Sequence, residues 1–228
     1  MTPVVHAPYT GEAGRQYHQG KRGLPPAALP WVQRARAELF QPRLQPKDAV
    51  FEFGCGAGWN LAALRCARRA GHDVATFLQP GIEALGVEFI PDPRRLPDAS
   101  FTVALAHHAL EHLENPSTTL RELHRLLAPG GRLWVAVPSD RERRHQRFNP
   151  AEPNHHLYSW TVQTLGALVA AHGFTVTHAG RRRYGYDRAA AGWAVRLHLG
   201  ERGFRGLRQA ARILFPLREV VVEARRPG

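Results

Sequence analysis

Short apolar runs alternate with stretches in which apolar residues recur every three or four positions. The runs are AVFEF (49–53), DVATFL (73–78), VEFI (87–90), FTVALA (101–106), RLWVAV (132–137), FTVTHAG (174–180) and REVVVEARR (218–226). Their length and their Val, Ile and Phe content predict seven strands. Helical spacing predicts helices over about 31–40, 60–70, 117–127 and 161–173, and a helical region over about 188–215. Gly71 reads as the stop of the 60–70 helix, and APGG (128–131) as the stop of the 117–127 helix. Only GIEAL (81–85), about one turn, separates the second and third strands.

Apolar strands separated by amphipathic helices predict a sheet covered on both faces. This is a Rossmann-like, doubly wound α/β fold with right-handed crossovers. At 228 residues the chain fits one domain. Residues 1–46 read as an arm and a helix, with Tyr9, Tyr17 and His18 as a candidate lid. Residues 47–228 read as the α/β domain, carrying a substrate-side loop at 139–160 and a helical cap at about 181–217. Ligands of such sheets bind outside the carboxyl ends of the strands.

A glycine turn stands at that address. Residues 50–60 read VFEFGCGAGWN, with Gly54, Gly56 and Gly58 at alternate positions. The chain has no Lys-Ser or Lys-Thr pair, which excludes a P-loop, and Trp59 occupies the third glycine position of a dinucleotide fingerprint. The spacing suits a ligand without phosphate, such as a nucleoside joined to an amino acid. Bare glycines admit it to the backbone, and Glu52 attracts an ammonium group. A tight turn holding no ligand is the alternative.

VFEFGCGAG resembles motif I of the class I S-adenosylmethionine (SAM)-dependent methyltransferases. PDPRRLPDASF (91–101), HHALEHL (107–113) and LRELHRLLAPGGRLWVAVP (120–138) extend the resemblance to the small-molecule, UbiE/UbiG-like group, in order over about 48–180. The resemblance implies a seven-stranded sheet with the last strand antiparallel, and SAM as cofactor. It implies that Glu52, Gly54, Gly56 and Gly58, with Cys55 among them, line the methionine part, and that Asp92 meets the adenine amino group. Gln79 falls where the family usually has the acid that accepts the ribose hydroxyls. Thr102 stands where the family commonly has Asp. The Gln79 departure leaves non-methylating SAM chemistry, a cyclisation or rearrangement, as an alternative.

His107 and His108 lie at the end of the fourth strand, beside the expected methyl donor, and a histidine suits proton removal from a hydroxyl. RFNPAEPNHHLYSWT (147–161) adds His155, His156 and Tyr158 as candidate substrate contacts, with Ser159 or Thr161 as a helix cap. His108-Ala-Leu-Glu111-His112 formally matches an inverted zinc-peptidase motif, but it directly follows a strand and Pro116 soon interrupts it, so no metal is expected.

The formal charge is +12, nearly all of it arginine, since Lys21 and Lys47 are the only lysines. A nucleic-acid partner is the reading this invites, but no stacking stripe of aromatics accompanies the basic runs, so an RNA-associated or non-catalytic member is the lesser alternative. Arg141, Arg143, Arg144 and Arg147 are candidate clamps for a carboxylate or phosphate on the acceptor. Cys55 and Cys66 suggest neither disulfide nor metal. No transmembrane run or signal peptide is read, which makes the cytoplasm the default expectation. The expected activity is methyl transfer to oxygen or nitrogen of a small, and compatibly anionic, acceptor by a monomer or homodimer.

Overall fold

The computed structural model describes residues 7–21, 23–139 and 154–228. Seven strands form one sheet in the order β3-β2-β1-β4-β5-β7-β6. They are β1 (Ala49–Phe53), β2 (Arg68–His72), β3 (Glu88–Phe89), β4 (Phe101–His107), β5 (Leu127–Pro138), β6 (Thr175–Tyr184) and β7 (Leu217–Arg225). β1 to β5 run parallel, whereas β7 is antiparallel to both β5 and β6. The α/β class, the seven strands and the antiparallel last strand are as expected.

Alternation along β1 sets the layers. Phe51 and Phe53 belong to the core beneath α4 (Pro116–Leu126) and α5 (Val162–Ala171), while Val50 faces a second core with Leu61, Leu78 and Ile82. Asn115 caps α4 by accepting from the Thr118 amide, and Thr161 and Thr164 close a reciprocal capping box on α5. A third core joins α2 (Leu29–Ala37) to α6 (Asp187–Arg196) and α7 (Gly200–Leu214) through Val32, Ala35, Ala191, Ala194 and Phe204. The arm contributes α1 (Gly11–Lys21). Among the described residues no helix is long and apolar enough to cross a membrane.

The segment between β1 and β3 departs from expectation. Residues 60–67 form no helix but a compact set of turns, in which the Leu61 and Ala62 amides both donate to the Gly58 carbonyl. β2 therefore lies at Arg68–His72, and the 73–78 stretch is irregular up to a 3-10 turn at Thr76–Leu78 that leads into the short α3 (Gln79–Glu83). Gly71 does not end a helix. It is a strand residue over which Cys55 and Leu61 pack, and a Cβ there would lie 2.7 Å from Cys55 Sγ. β6 also continues through residues 181–184, which shortens the cap to α6 and α7. APGG, read as a stop, is part of β5. Gly71→Ala is expected to cost about 1–3 kcal/mol by overpacking, measured by urea denaturation. Unchanged stability would contradict this packing.

Candidate active site

A cavity of about 670 Å³ opens at the carboxyl ends of β1, β2 and β4, within the range of roughly 300–1,000 Å³ usual for ligand sites. The glycine turn, His72 to Val74 and His107 to Ala109 form one wall. The arm, Arg36 of α2 and the α6–α7 pair close the other, and antiparallel β7 brings Glu219 to the same end.

Gly54, Gly56 and Gly58 all adopt left-handed backbone, with φ of 70°, 52° and 73°. Their missing side chains do different work. A Cβ on Gly54 would lie 2.6 Å from Ala109 Cβ, so this glycine lets the loop after β4 approach. A Cβ on Gly56 would meet nothing within 4 Å, and its bare backbone faces the cavity. Gly58 packs toward Ile82 of α3 and does not line the cavity. The turn is tied to the end of β2: the Gly54 and Cys55 amides donate to the His72 carbonyl, and the Gly56 amide donates to Asp73 Oδ2 at 2.7 Å.

Glu52, expected to line the site, is fully buried beneath this turn and does not itself line the cavity; Asn60 stands between. Asn60 Nδ2 donates to its Oε1 at 2.5 Å, while Oε2 has no hydrogen-bond partner among the described residues. Burial pushes the Glu52 carboxyl up to about 8, against the opposing pull of Asn60 and Arg36. Cys55 lines the cavity, and burial raises its thiol.

His107 and His108 stack face to face, ring centres 4.4 Å apart. His108 sits in left-handed backbone (φ 55°), an uncommon conformation for a residue with a side chain. Its Nε2 lies 2.8 Å from Glu219 Oε2, and Arg182 Nε donates to Glu219 Oε1 at 2.7 Å. Glu219 is completely buried. Burial would raise its carboxyl, but hydrogen bonding and charge from the two histidines prevail and hold it well below the usual carboxylate range. Burial and the neighbouring His107 push His108 down to about 4, so it is neutral at pH 7. His107 Nε2 approaches Glu219 only to 3.4 Å.

Several expected residues stand elsewhere. Gln79 is not at the end of β2; it opens α3, where its amide donates to Glu83 outside the cavity. The compressed β1–β2 crossover moves the strand end forward, and Asp73 occupies that position. Asp92 caps a 3-10 turn and is held by the Arg94 guanidinium, whose hydrogen bonds lower its carboxyl, and it does not line the cavity. Tyr158 donates to the Glu114 carbonyl, His155 packs on Tyr9, and His156 packs on His112. None of the three lines the cavity, to which their segment contributes Asn154. Arg141, Arg143, Arg144 and Arg147 lie outside the described residues. Tyr9, Tyr17 and His18 of the arm do reach the cavity.

The H-x-x-E-H pattern does not converge on one point. His108 joins His107 and Glu219, whereas Glu111 and His112 group with His156. Sequence reasoning passed over Asp73, Asn60, Glu219 and the arginines of α7. An acid directly after a strand was the available signal for Asp73; it lay hidden inside a misplaced strand.

The family model for the methyltransferase domain matches residues 24–179. The chain belongs to that family. It is 28% identical over 168 residues to a Mycobacterium tuberculosis protein named "Probable S-adenosylmethionine-dependent methyltransferase", covering 68% of this chain and 60% of the relative. The alignment thus spans well under two thirds of that relative's length. Among solved structures, the chain resembles Burkholderia thailandensis 1,6-didemethyltoxoflavin-N1-methyltransferase with bound S-adenosylhomocysteine (TM-score 0.61, 22% identity, 94% of this chain and 85% of that one). It also resembles the [4+2]-cyclase SpnF (TM-score 0.58, 21% identity, 86% and 80%), so the shared fold alone does not fix the reaction.

Truncating Glu219 leaves Arg182 and the histidine pair without their carboxylate. Glu219→Ala is expected to cost on the order of 3–5 kcal/mol in chemical denaturation. Because the folded-state carboxyl lies below its ordinary 4.5, the stability it contributes is complete above that pH and falls away as pH drops below it. A wild-type-like acid unfolding profile in the variant would contradict the assignment.

Proposed function

We propose that this chain is a SAM-dependent methyltransferase acting on oxygen or nitrogen of a small-molecule acceptor. The observation that carries the reading is a buried Glu52 oxygen with no hydrogen-bond partner among the described residues, beneath a turn whose Gly56 backbone lies bare to the cavity. An orphaned buried carboxylate oxygen fits a cationic group. Asp73 fits the ribose, because each of its oxygens takes one backbone amide, from Gly56 and Ala75, and keeps a lone pair for a hydroxyl hydrogen. The family match and the SAM-dependent relative support the same cofactor.

When bound, the cofactor supplies an electrophilic methyl group on a sulfonium. The protein contributes position, exclusion of water and a place for the acceptor's proton. Asn60, which lines the cavity, meets the amino-acid end with the buried Glu52 carboxyl behind it, Gly56 admits the ligand against the backbone, and Asp73 orients the sugar. Because ionised Glu219 only accepts hydrogen bonds, His108 carries its proton on Nε2 and leaves Nδ1 as the base. A proton taken up at Nδ1 turns the neutral ring into a cation that the Glu219 carboxylate favours, against the burial and neighbouring His107 that hold His108 down at about 4. His107, stacked on His108, borders the same space.

The rearrangement reading took its motive from Gln79. With Asp73 at the end of β2, no polar group is lacking there.

Isothermal titration with S-adenosylhomocysteine tests the reading. An ammonium group favours ionised Glu52, which holds its proton below about pH 8 in the free protein. Binding is expected to release protons and to tighten as pH is raised toward about 8. Glu52→Gln is expected to weaken binding about tenfold and to flatten the pH dependence. No heat at millimolar ligand would overturn the assignment.

A further inference from the structure

Among the described residues, the cavity wall opposite the glycine turn carries five arginines, Arg36, Arg183, Arg188, Arg208 and Arg212, and two carboxylates, Asp187 and Glu219. Asp187, at the start of α6, is approached by three guanidinium groups: Arg36 at 3.1 Å, Arg208 at 3.4 Å and Arg212 at 3.8 Å. All four side chains are largely buried, Arg208 and Arg212 to within 12% and 14% of full burial. Arg208 and Arg212 are one turn apart on α7 and project toward the same space, an arrangement that is unfavourable between like charges. Burial and the charge of Arg208 lower the Arg212 pKa from its ordinary value. The charges of Asp187 and Glu219 oppose that lowering only in part, and Glu219 is itself hydrogen-bonded to Arg182 and His108. Arg183 and Arg188 add exposed positive charge at the cavity edge.

This cluster is continuous with the proposed methyl-donor end. Arg36 lies over the Trp59 ring, 5.4 Å from its centre, directly beside the glycine turn. Arg212 Nε donates to the Gly185 carbonyl, and Tyr184, one residue before, packs edge-on against His108 at 4.8 Å. A group seated on α7 therefore places its remaining atoms within the space bordered by the histidine pair.

We propose that Arg208 and Arg212, beside Asp187, form the seat for an oxyanion carried by the acceptor, a carboxylate or a phosphate. The proposal rests on reading the cavity as a joint cofactor and acceptor pocket. Guanidinium groups match both anions bidentately. Three largely buried cations sharing one carboxylate leave a charge surplus that a second anion resolves. The surplus also selects against a cationic acceptor, which a cavity already receiving a sulfonium would repel. The seat belongs to α7 and is built from described residues only.

The test is isothermal titration of the full chain saturated with S-adenosylhomocysteine, using inorganic phosphate in one arm and succinate in the other, at constant ionic strength. One of the two anions is expected to bind, phosphate pointing to a phosphorylated acceptor and succinate to a carboxylic acid. Arg212→Gln and Arg208→Gln are each expected to weaken that binding about tenfold. Asp187→Asn, which removes the competing carboxylate, is expected to tighten it several-fold. Failure of both anions to bind, or wild-type affinity in the arginine variants, would overturn the proposal. So would equal weakening in Asp187→Asn, which is the behaviour of a purely structural clamp. If Arg212→Gln does not fold by circular dichroism, Arg212→Lys serves, with intermediate affinity expected and unchanged affinity contradicting the seat. Repeating the phosphate arm without S-adenosylhomocysteine separates the two readings: anion binding by a protein that ignores S-adenosylhomocysteine removes the proposed cofactor and leaves the seat.

Discussion

The hydrogen bond from the Gly56 amide to Asp73 fixes the geometry on which the rest depends. It joins the turn after β1 to the end of β2, where a conventional crossover helix is absent and a short set of turns replaces it. Left-handed backbone at three glycines orients the turn, and Ala109, packed where a Gly54 side chain would stand, sets the height of the β4 loop above it. Glu52 below and Asp73 beside the turn become two carboxylates with different environments. One is buried with an unsatisfied oxygen; the other is anchored by two amides with capacity to spare. That division suits a ligand carrying an ammonium at one end and hydroxyls at the other.

The antiparallel last strand completes the arrangement. Because β7 runs opposite to β5, its first residues rather than its last reach the ligand end of the sheet, delivering Glu219 under His108. A neutral histidine held in left-handed backbone by an ionised buried carboxylate is a strained conformation that the surrounding structure must enforce. Such arrangements are retained where geometry matters to function. The helices α6 and α7 close the cavity with Arg208 and Arg212 facing inward, while α2 locks them through an alanine-rich interface. Fold and site are thus coupled: the elements that close the pocket also supply its charge.

Much of this was legible in the sequence. β1, β4, β5 and β7 read clearly as β-rich apolar runs, and α4 and α5 carry strong periodicity and sound caps. The glycine turn and the His107–His108 pair both fall at strand ends that border the cavity. The reading failed between residues 60 and 79. There Gly71 imitates a helix stop while serving close packing with Cys55, and the apolar DVATFL imitates a strand while forming a turn. One displaced strand then put Gln79 in the place of Asp73. Glu219 was hidden for a different reason: its partner His108 lies 111 residues away, and pairing across a sheet leaves no local signature. Tyr158 and His156 looked chemical by type, yet their neighbours, the Glu114 carbonyl and the His112 ring, give them structural work.

The most direct test of the central claim is the affinity of Asp73→Asn for S-adenosylhomocysteine, with folding checked by circular dichroism. An amide accepts fewer hydrogen bonds than a carboxylate and must serve the Gly56 and Ala75 amides before any hydroxyl. The account predicts a folded protein whose affinity falls at least about tenfold. Undiminished affinity in a folded Asp73→Asn protein would contradict it.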